Sequence, residues 1–168
     1  MQNILNKYSI QYFYHFTDIS NLESIKKYGL FSLSEIAKQQ IKVNICGGDE
    51  LSHSLDSQNG MDKYVHLAFN TDHPMLYRAI QRGQIQNPIW LKINTRIMFE
   101  NGAKFTNDVA NKLGIFPYKI NAIEKYLDLE VLFKWTDWTD KDIQIRLQKA
   151  RKSELLIPNH IPSSYISW

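Results

Sequence analysis

The stretch that most constrains this chain is Ala150-Arg151-Lys152-Ser153-Glu154-Leu155-Leu156-Ile157-Pro158. A basic, helix-like run ends there and passes directly into a short apolar run of strand character, which reads as the final core strand. One carboxylate, Glu154, stands at the junction. It reads either as an ordinary solvated strand-end residue or as a carboxylate held beside a cleft, where its acceptor oxygens or its basicity matter. A lone carboxylate is no motif, and the choice depends on what the rest of the chain brings to it.

The run leading into Glu154 carries Lys141, Arg146, Lys149, Arg151 and Lys152 against a single acid, Asp142. Basic helix faces are commonly just solvated, but a cationic approach to a catalytic carboxylate suits an enzyme acting on a nucleic acid. The net charge of +3 permits such a partner without demanding one. Thr139 and Asp142 form a capping pattern for this helix, whose Ile143, Leu147 and Ala150 share a face.

Upstream, Tyr12-Phe13-Tyr14-His15-Phe16-Thr17 reads as an aromatic-rich first strand. Ser20 with Glu23 predicts a capping box, Ile19, Leu22 and Ile25 predict one apolar stripe, and Gly29 predicts a left-handed helix end with Leu30 beside it. Ser32 and Glu35 open a second helix to about Gln40. Residues 45–60 are polar and Gly-rich and read as a long loop with one helical turn near Leu51 to Leu55. A loop of that length in a compact domain suggests a lid or binding loop. Strands follow at Tyr64–Phe69 and Ile89–Ile93, with Pro74 at the first position of a helix between them. Phe105-Thr106-Asn107 reads as a strand end, the stretch 121–133 as a helix to about Leu127 and then either element, and Tyr165-Ile166 as a short last strand. Strands interleaved with short helices and uneven gaps predict one α+β domain over residues 1–168.

Several function classes drop out. A single cysteine, Cys46, leaves no disulfide framework and no cysteine cage for zinc. No apolar run approaches membrane-spanning length, and the first ten residues lack a signal peptide's apolar block, so the expectation is a cytoplasmic protein with no membrane partner. His15, His53, His66, His73 and His160 have no metal-ligand spacing, and no metal is expected. Gly47-Gly48-Asp49-Glu50-Leu51 mimics a GGDEF-type signature, but no acidic strand end precedes it, and a Gly-Asp turn is the better reading. Phe69 to Tyr77 reads as a strand, a polar corner and a Pro-started helix whose free amides could face an anion, although a plain strand-to-helix turn explains it as well. His15 lies within a strand that reads as buried. It is either a core histidine tied to backbone or a ligand-facing donor.

In order along the chain, these segments resemble the DarT family of NAD-dependent ADP-ribosyltransferase toxins, which modify bases in single-stranded DNA. Tyr14-His15-Phe16-Thr17 with Asn21-Leu22, Ile25 and Gly29-Leu30 looks like the family's opening strand and helix. Tyr64 to Phe69 followed by Pro74-Met75-Leu76-Tyr77 is similar to its internal motif. Phe105-Thr106-Asn107 resembles a Phe-Thr-Asp segment, and Ala150 to Leu156 resembles the acid-bearing strand. The resemblance implies an α+β ADP-ribosyltransferase-like fold: a split, mostly antiparallel sheet with flanking helices and an NAD cleft between its halves. It further implies Glu154 as the catalytic glutamate and His15, Thr17, Asn21 and Tyr77 around the NAD. Lys149, Arg151 and Lys152 would meet the nucleic acid. A monomer acting on single-stranded DNA, most naturally at thymidine, is expected, with a macrodomain antitoxin of the DarG type as partner. One departure bears on the target. Family members carry an arginine after the first helices, whereas no arginine here precedes Arg78, and Lys38, Lys42 and His53 are the basic residues of that segment. Another base, RNA or a protein as acceptor, or a catalytically idle nucleic-acid-binding module, are the competing readings.

Overall fold

Residues 2–41, 43, 44 and 60–168 are described by the computed structural model. Helices are α1 (Gln2–Lys7), α2 (Leu22–Tyr28), α3 (Leu33–Gln39), α4 (Pro74–Gln81), α5 (Ile123–Tyr126), α6 (Leu129–Phe133) and α7 (Lys141–Ala150). Strands are β1 (Tyr12–Asp18), β2 (Leu30–Phe31), β3 (Tyr64–Ala68), β4 (Pro88–Asn94), β5 (Lys104–Thr106), β6 (Tyr118–Lys119), β7 (Glu154–Pro158), β8 (His160–Ile161) and β9 (Ile166–Ser167). Seven strands form one sheet in the order β6-β5-β7-β3-β1-β4-β9, and β2 pairs with β8 in a second, two-stranded sheet. Among the described residues every pairing is antiparallel, in keeping with the mostly antiparallel sheet that the resemblance implied.

Side-chain alternation divides the large sheet into two faces. Phe13 lies opposite Ile93, Val65 opposite Ile157, and Leu67 opposite Leu155, which also faces Phe105. All are essentially inaccessible to water and form the main core with residues such as Ile25, Ile97 and Ile123. Fully burying a side chain of this size is worth about 1.5–3 kcal/mol, so this face supplies most of the folding drive. The other face carries Tyr64, His66, Ala68, Thr106, Glu154 and Leu156. Among the described residues it carries a small apolar cluster of Met61, Ala110 and Leu156. Glu154 enters the sheet on this face.

The sheet is open along one seam. β1 pairs with β4 along its full length, from Tyr12↔Asn94 to Asp18↔Pro88, but meets β3 only at Tyr14↔Ala68. A continued ladder would set Phe16 opposite His66. Instead the strands part there, and the imidazole of His15 takes the His66 carbonyl at 3.0 Å. This is the split that the family resemblance implied.

Local signals mostly hold. Ser32 caps α3 by accepting the Glu35 amide, and Pro74 begins α4. Gly29 ends α2 at φ 82 and ψ −161, a conformation beyond the ordinary left-handed one and open essentially only to glycine. A Cβ there would lie 2.2 Å from the Ile161 carbonyl oxygen. Two caps fall elsewhere. At residues 19–21 the chain makes a 3-10 turn rather than a Ser20–Glu23 capping box, because the Asp18 carboxylate accepts the Ser20 amide. The cap of α7 is Asp140, whose carboxylate accepts the Asp142 amide, while the Thr139 hydroxyl donates to Asp137. In both places an ionised acceptor replaces a hydroxyl. The stretch 121–133 resolves into α5 and α6. The turn expected near Leu51 to Leu55, and nearly all of the polar loop around it, lie outside the described residues.

Candidate active site

Where β1 and β3 part, a cavity of about 240 Å³ opens. Residues 14–17 of β1 and 64–68 of β3 line it, together with Asn21, Ile25, Gly29, His73 and Glu154. By the alternation of β1, His15 and Thr17 belong to the core face of the sheet, whereas His66 and Glu154 belong to the opposite face. The cavity therefore draws on both faces, which is possible only because the ladder is broken.

Glu154 is 6% exposed. Its Oε2 accepts the Ala110 amide at 3.1 Å and lies 3.0 Å from His66 Nδ1, and its Oε1 lies 3.6 Å from His73 Nε2. Ala68 is its direct neighbour across β3, and His66 is the diagonal one on the same face. Burial by itself pushes this carboxyl up, but the His66 charge and hydrogen bond, then His73 and the Ala110 amide, bring it below the usual glutamate value. At neutral pH the group is an anion.

The histidines are held in defined states. His15 donates from Nδ1 to the His66 carbonyl, so its Nε2 carries the lone pair. Burial lowers its pKa, with the backbone bond opposing, and it stays neutral. His73 accepts the Met75 amide at Nδ1 and donates from Nε2 to the Lys152 carbonyl at 3.3 Å. Burial lowers its pKa against the pull of Glu154. The amide at the start of α4 is thus used by His73. Thr17 accepts a hydrogen bond from Asn21 Nδ2 at 3.0 Å, and Asn21 Oδ1 accepts the Asn44 amide. Among the described residues no cluster of histidine, cysteine, aspartate or glutamate has the arrangement of a metal site.

Glu154, His15, Thr17 and Asn21 therefore meet at one cavity. Tyr77 does not: its ring is 65% exposed on α4 and its hydroxyl accepts from Gln81. Lys149 is exposed, and Arg151 bonds the Asp72 carboxylate at 3.2 Å. Lys152 is half-buried and contributes its carbonyl to His73. Arg146 pairs with Asp128 and Glu130, so the basic run is partly neutralised. Three contributors escaped sequence reasoning. His66 lies 88 residues from Glu154, and no local pattern links them. The Ala110 amide leaves no side-chain signal at all. Asp18, only 1% exposed, accepts the amides of Ser20, Gln86 and Asn87 and ties the end of β1 to the entrance of β4.

Residues 14–168 match the family model of "ssDNA thymidine ADP-ribosyltransferase, DarT". The chain belongs to the DarT family. Its fold is similar to that of Thermosipho africanus DarTG in complex with ADP-ribose, with a TM-score of 0.72 and 22% identity over 94% of this chain and 43% of that one. Thermus sp. 2.9 DarT in complex with ADP-ribosylated ssDNA gives 0.68 and 18%, over 94% and 79% of the two chains. The same protein in complex with NAD+ gives 0.61 and 20%, over 94% and 80%. The chain thus spans less than half of the DarTG chain and about four fifths of the Thermus DarT chain. No curated protein matches it. Membership carries the split antiparallel sheet and the cleft, and the expected architecture is met.

Proposed function

We propose that this chain transfers ADP-ribose from NAD to thymidine in single-stranded DNA, with Glu154 as its catalytic carboxylate. The observation that carries the reading is a buried, ionised carboxylate lining a cavity beside an interrupted β-ladder. The residues present suit NAD: the lone pair on His15 Nε2 and the Thr17 hydroxyl offer acceptors for ribose hydroxyls or an amide group, beside the apolar walls of Phe16 and Ile25.

When bound, NAD supplies a glycosidic bond whose cleavage builds positive charge on the ribose carbon and releases nicotinamide with the bonding electrons. Glu154 stabilises that charge from a site with little water, where its field is least screened. Its Oε1 then takes the proton of the attacking base nitrogen: the base N–H bond breaks, an O–H bond forms on the carboxyl group, and the freed pair bonds to the ribose carbon. His15 and Thr17 hold the ribose end, and Asn21 acts through Thr17 by fixing its hydroxyl. The segment between β5 and β6, which sends the Ala110 amide to Glu154, also presents Leu113 and Phe116, 88% and 74% exposed. The exposed Phe116 ring, in the same segment as Lys112, suits stacking of a single-stranded base.

A cytoplasmic setting follows from such a reaction, as does a DarG-type macrodomain partner that removes the mark. Among the described residues no helix is long and apolar enough to cross a membrane. Incubation with NAD and mixed-sequence single-stranded DNA, read by intact mass spectrometry, tests the proposal. An added ADP-ribose unit is expected with the native chain and absent with Glu154→Ala. Consumption of NAD without a DNA adduct would move the acceptor to RNA or protein, and intact NAD would sink the enzymatic reading of this chain.

A further inference from the structure

Both ring nitrogens of His66 face hydrogen-bond acceptors. Nε2 lies 3.1 Å from the Met61 carbonyl, which has no proton to give, so Nε2 carries an N–H. In a neutral imidazole that leaves Nδ1 as a bare lone pair. A lone pair 3.0 Å from an ionised carboxylate oxygen would be repulsive, yet Nδ1 lies at that distance from Glu154 Oε2. The geometry is satisfied only with a proton between them, as an imidazolium facing a carboxylate or an imidazole facing a carboxylic acid. His73 differs, because its Nδ1 accepts an amide proton, which fits the neutral ring.

Building on the reading of Glu154 as the catalytic carboxylate, we infer that His66 is a positioning residue that shares one proton with it, immobilising Oε2 and matching its charge while Oε1 is left for the substrate. Two consequences follow. With His66 and the Ala110 amide both on Oε2, the carboxylate cannot turn away from the cleft. The adjacent positive charge also offsets the cost of an anion in a buried site, so Glu154 is ready to accept a proton rather than already holding one. The His66 side chain is 26% exposed, against 2% for His73, so it gives the pair its contact with water.

Among the described residues, the charged and titratable groups around the pair are these. His73 approaches Oε1 from the start of α4 and itself feels Asp72, and His15 bonds the His66 carbonyl from β1. Lys112 pairs with Asp108 on the segment after β5, where Lys152 also acts on Asp108. None of these stands between His66 and Glu154.

The test is ring 15N NMR of the full chain labelled at histidine, with His66 assigned by loss of its signals in His66→Asn. At pH 7 both His66 nitrogens are expected to be protonated in the native chain, and Glu154→Gln is expected to return the ring to a neutral Nε2–H form. A neutral His66 that ignores Glu154→Gln would overturn the inference, whether or not the chain modifies DNA. His66→Asn gives the second readout, because it can keep an N–H donor near Oε2 but not the charge. We expect about a 10-fold loss of kcat, an acid limb of the pH profile moved to higher pH, and an unchanged KM for NAD. An unmoved profile would leave His66 a structural residue only. Absence of ADP-ribosylation in the native chain would instead count against the proposed function, and the NMR outcome would still decide the shared proton.

Discussion

Asp18 and Glu154 are both buried carboxylates, 1% and 6% exposed, and they serve opposite ends. Asp18 is filled by backbone amides: Asn87 and Gln86 on one oxygen, Ser20 on the other. Those donors do not titrate, and with the Asn87 and Ser20 bonds leading they hold its pKa down to about 2. Glu154 has one amide and two imidazoles, and its Oε1 has a neighbour at 3.6 Å but no short bond. A carboxylate answered by amides is a staple. One answered by imidazoles, with an oxygen left toward a cleft, can exchange protons. The difference between the structural acid and the one proposed as catalytic lies in the partners, not in burial.

The largest effect should come from Glu154→Gln. Turnover should fall about 100- to 10,000-fold, the range for loss of a positioned general base, while the melting temperature moves little. A variant that melts early with activity to match would erase the distinction. Asp18→Asn should do the reverse. One side of the side chain would then present an NH2 group to the Gln86 and Asn87 amides, so the melting temperature should drop clearly while kcat per folded molecule is kept. Full loss of turnover in folded Asp18→Asn would make it part of the reaction.

Acid titration of stability, followed by circular dichroism, sharpens the contrast. His15 and His73 have lowered values, so their neutral forms favour folding above the ordinary imidazole pKa of about 6.5, and that contribution is lost as the pH falls below it. Asp18 contributes above the ordinary carboxyl value of about 3.9, and its share is lost as the pH falls toward about 2. Asp18→Asn should therefore flatten only the lower stage. The smallest effect is expected for Tyr77→Ala. With its ring exposed and bonded to Gln81, NAD affinity by calorimetry should change by less than about 2-fold, well under the 1.4 kcal/mol that a tenfold change requires. A tenfold loss would return Tyr77 to the cofactor site.

Much was legible along the chain because its causes are local. Ser32 caps a helix because the accepting amide is three residues away. Pro74 starts one because its missing N–H costs nothing there. Gly29 ends one because other residues pay for that backbone angle. Alternation announced β4, and a short apolar run announced β7, in the same way. The local rules failed where a second acceptor competed nearby: Asp18 displaced the Ser20 box, and Asp140 displaced Thr139 as cap. Both were within two residues of the expected position, so the place of each helix start was right and the choice among neighbouring acceptors was not.

The site divides along the same line. Ordered segments of sequence offered Glu154, His15, Thr17 and Asn21 as candidates, and the structure brings all four to one cavity, because a strand end, a strand and a helix start carry each of them at a fixed place in its element. Tyr77 shares that logic and still points to water, since the face a helix turns to the cleft depends on how it docks. The parting of β1 from β3 after Tyr14↔Ala68, the arrival of Ala110 at Glu154, and the meeting of His66 with Glu154 across 88 residues were decided only by tertiary structure. Hydrogen bonds between distant segments form when packing brings the donors together, and periodicity and caps hold information only about a residue's own turn of chain.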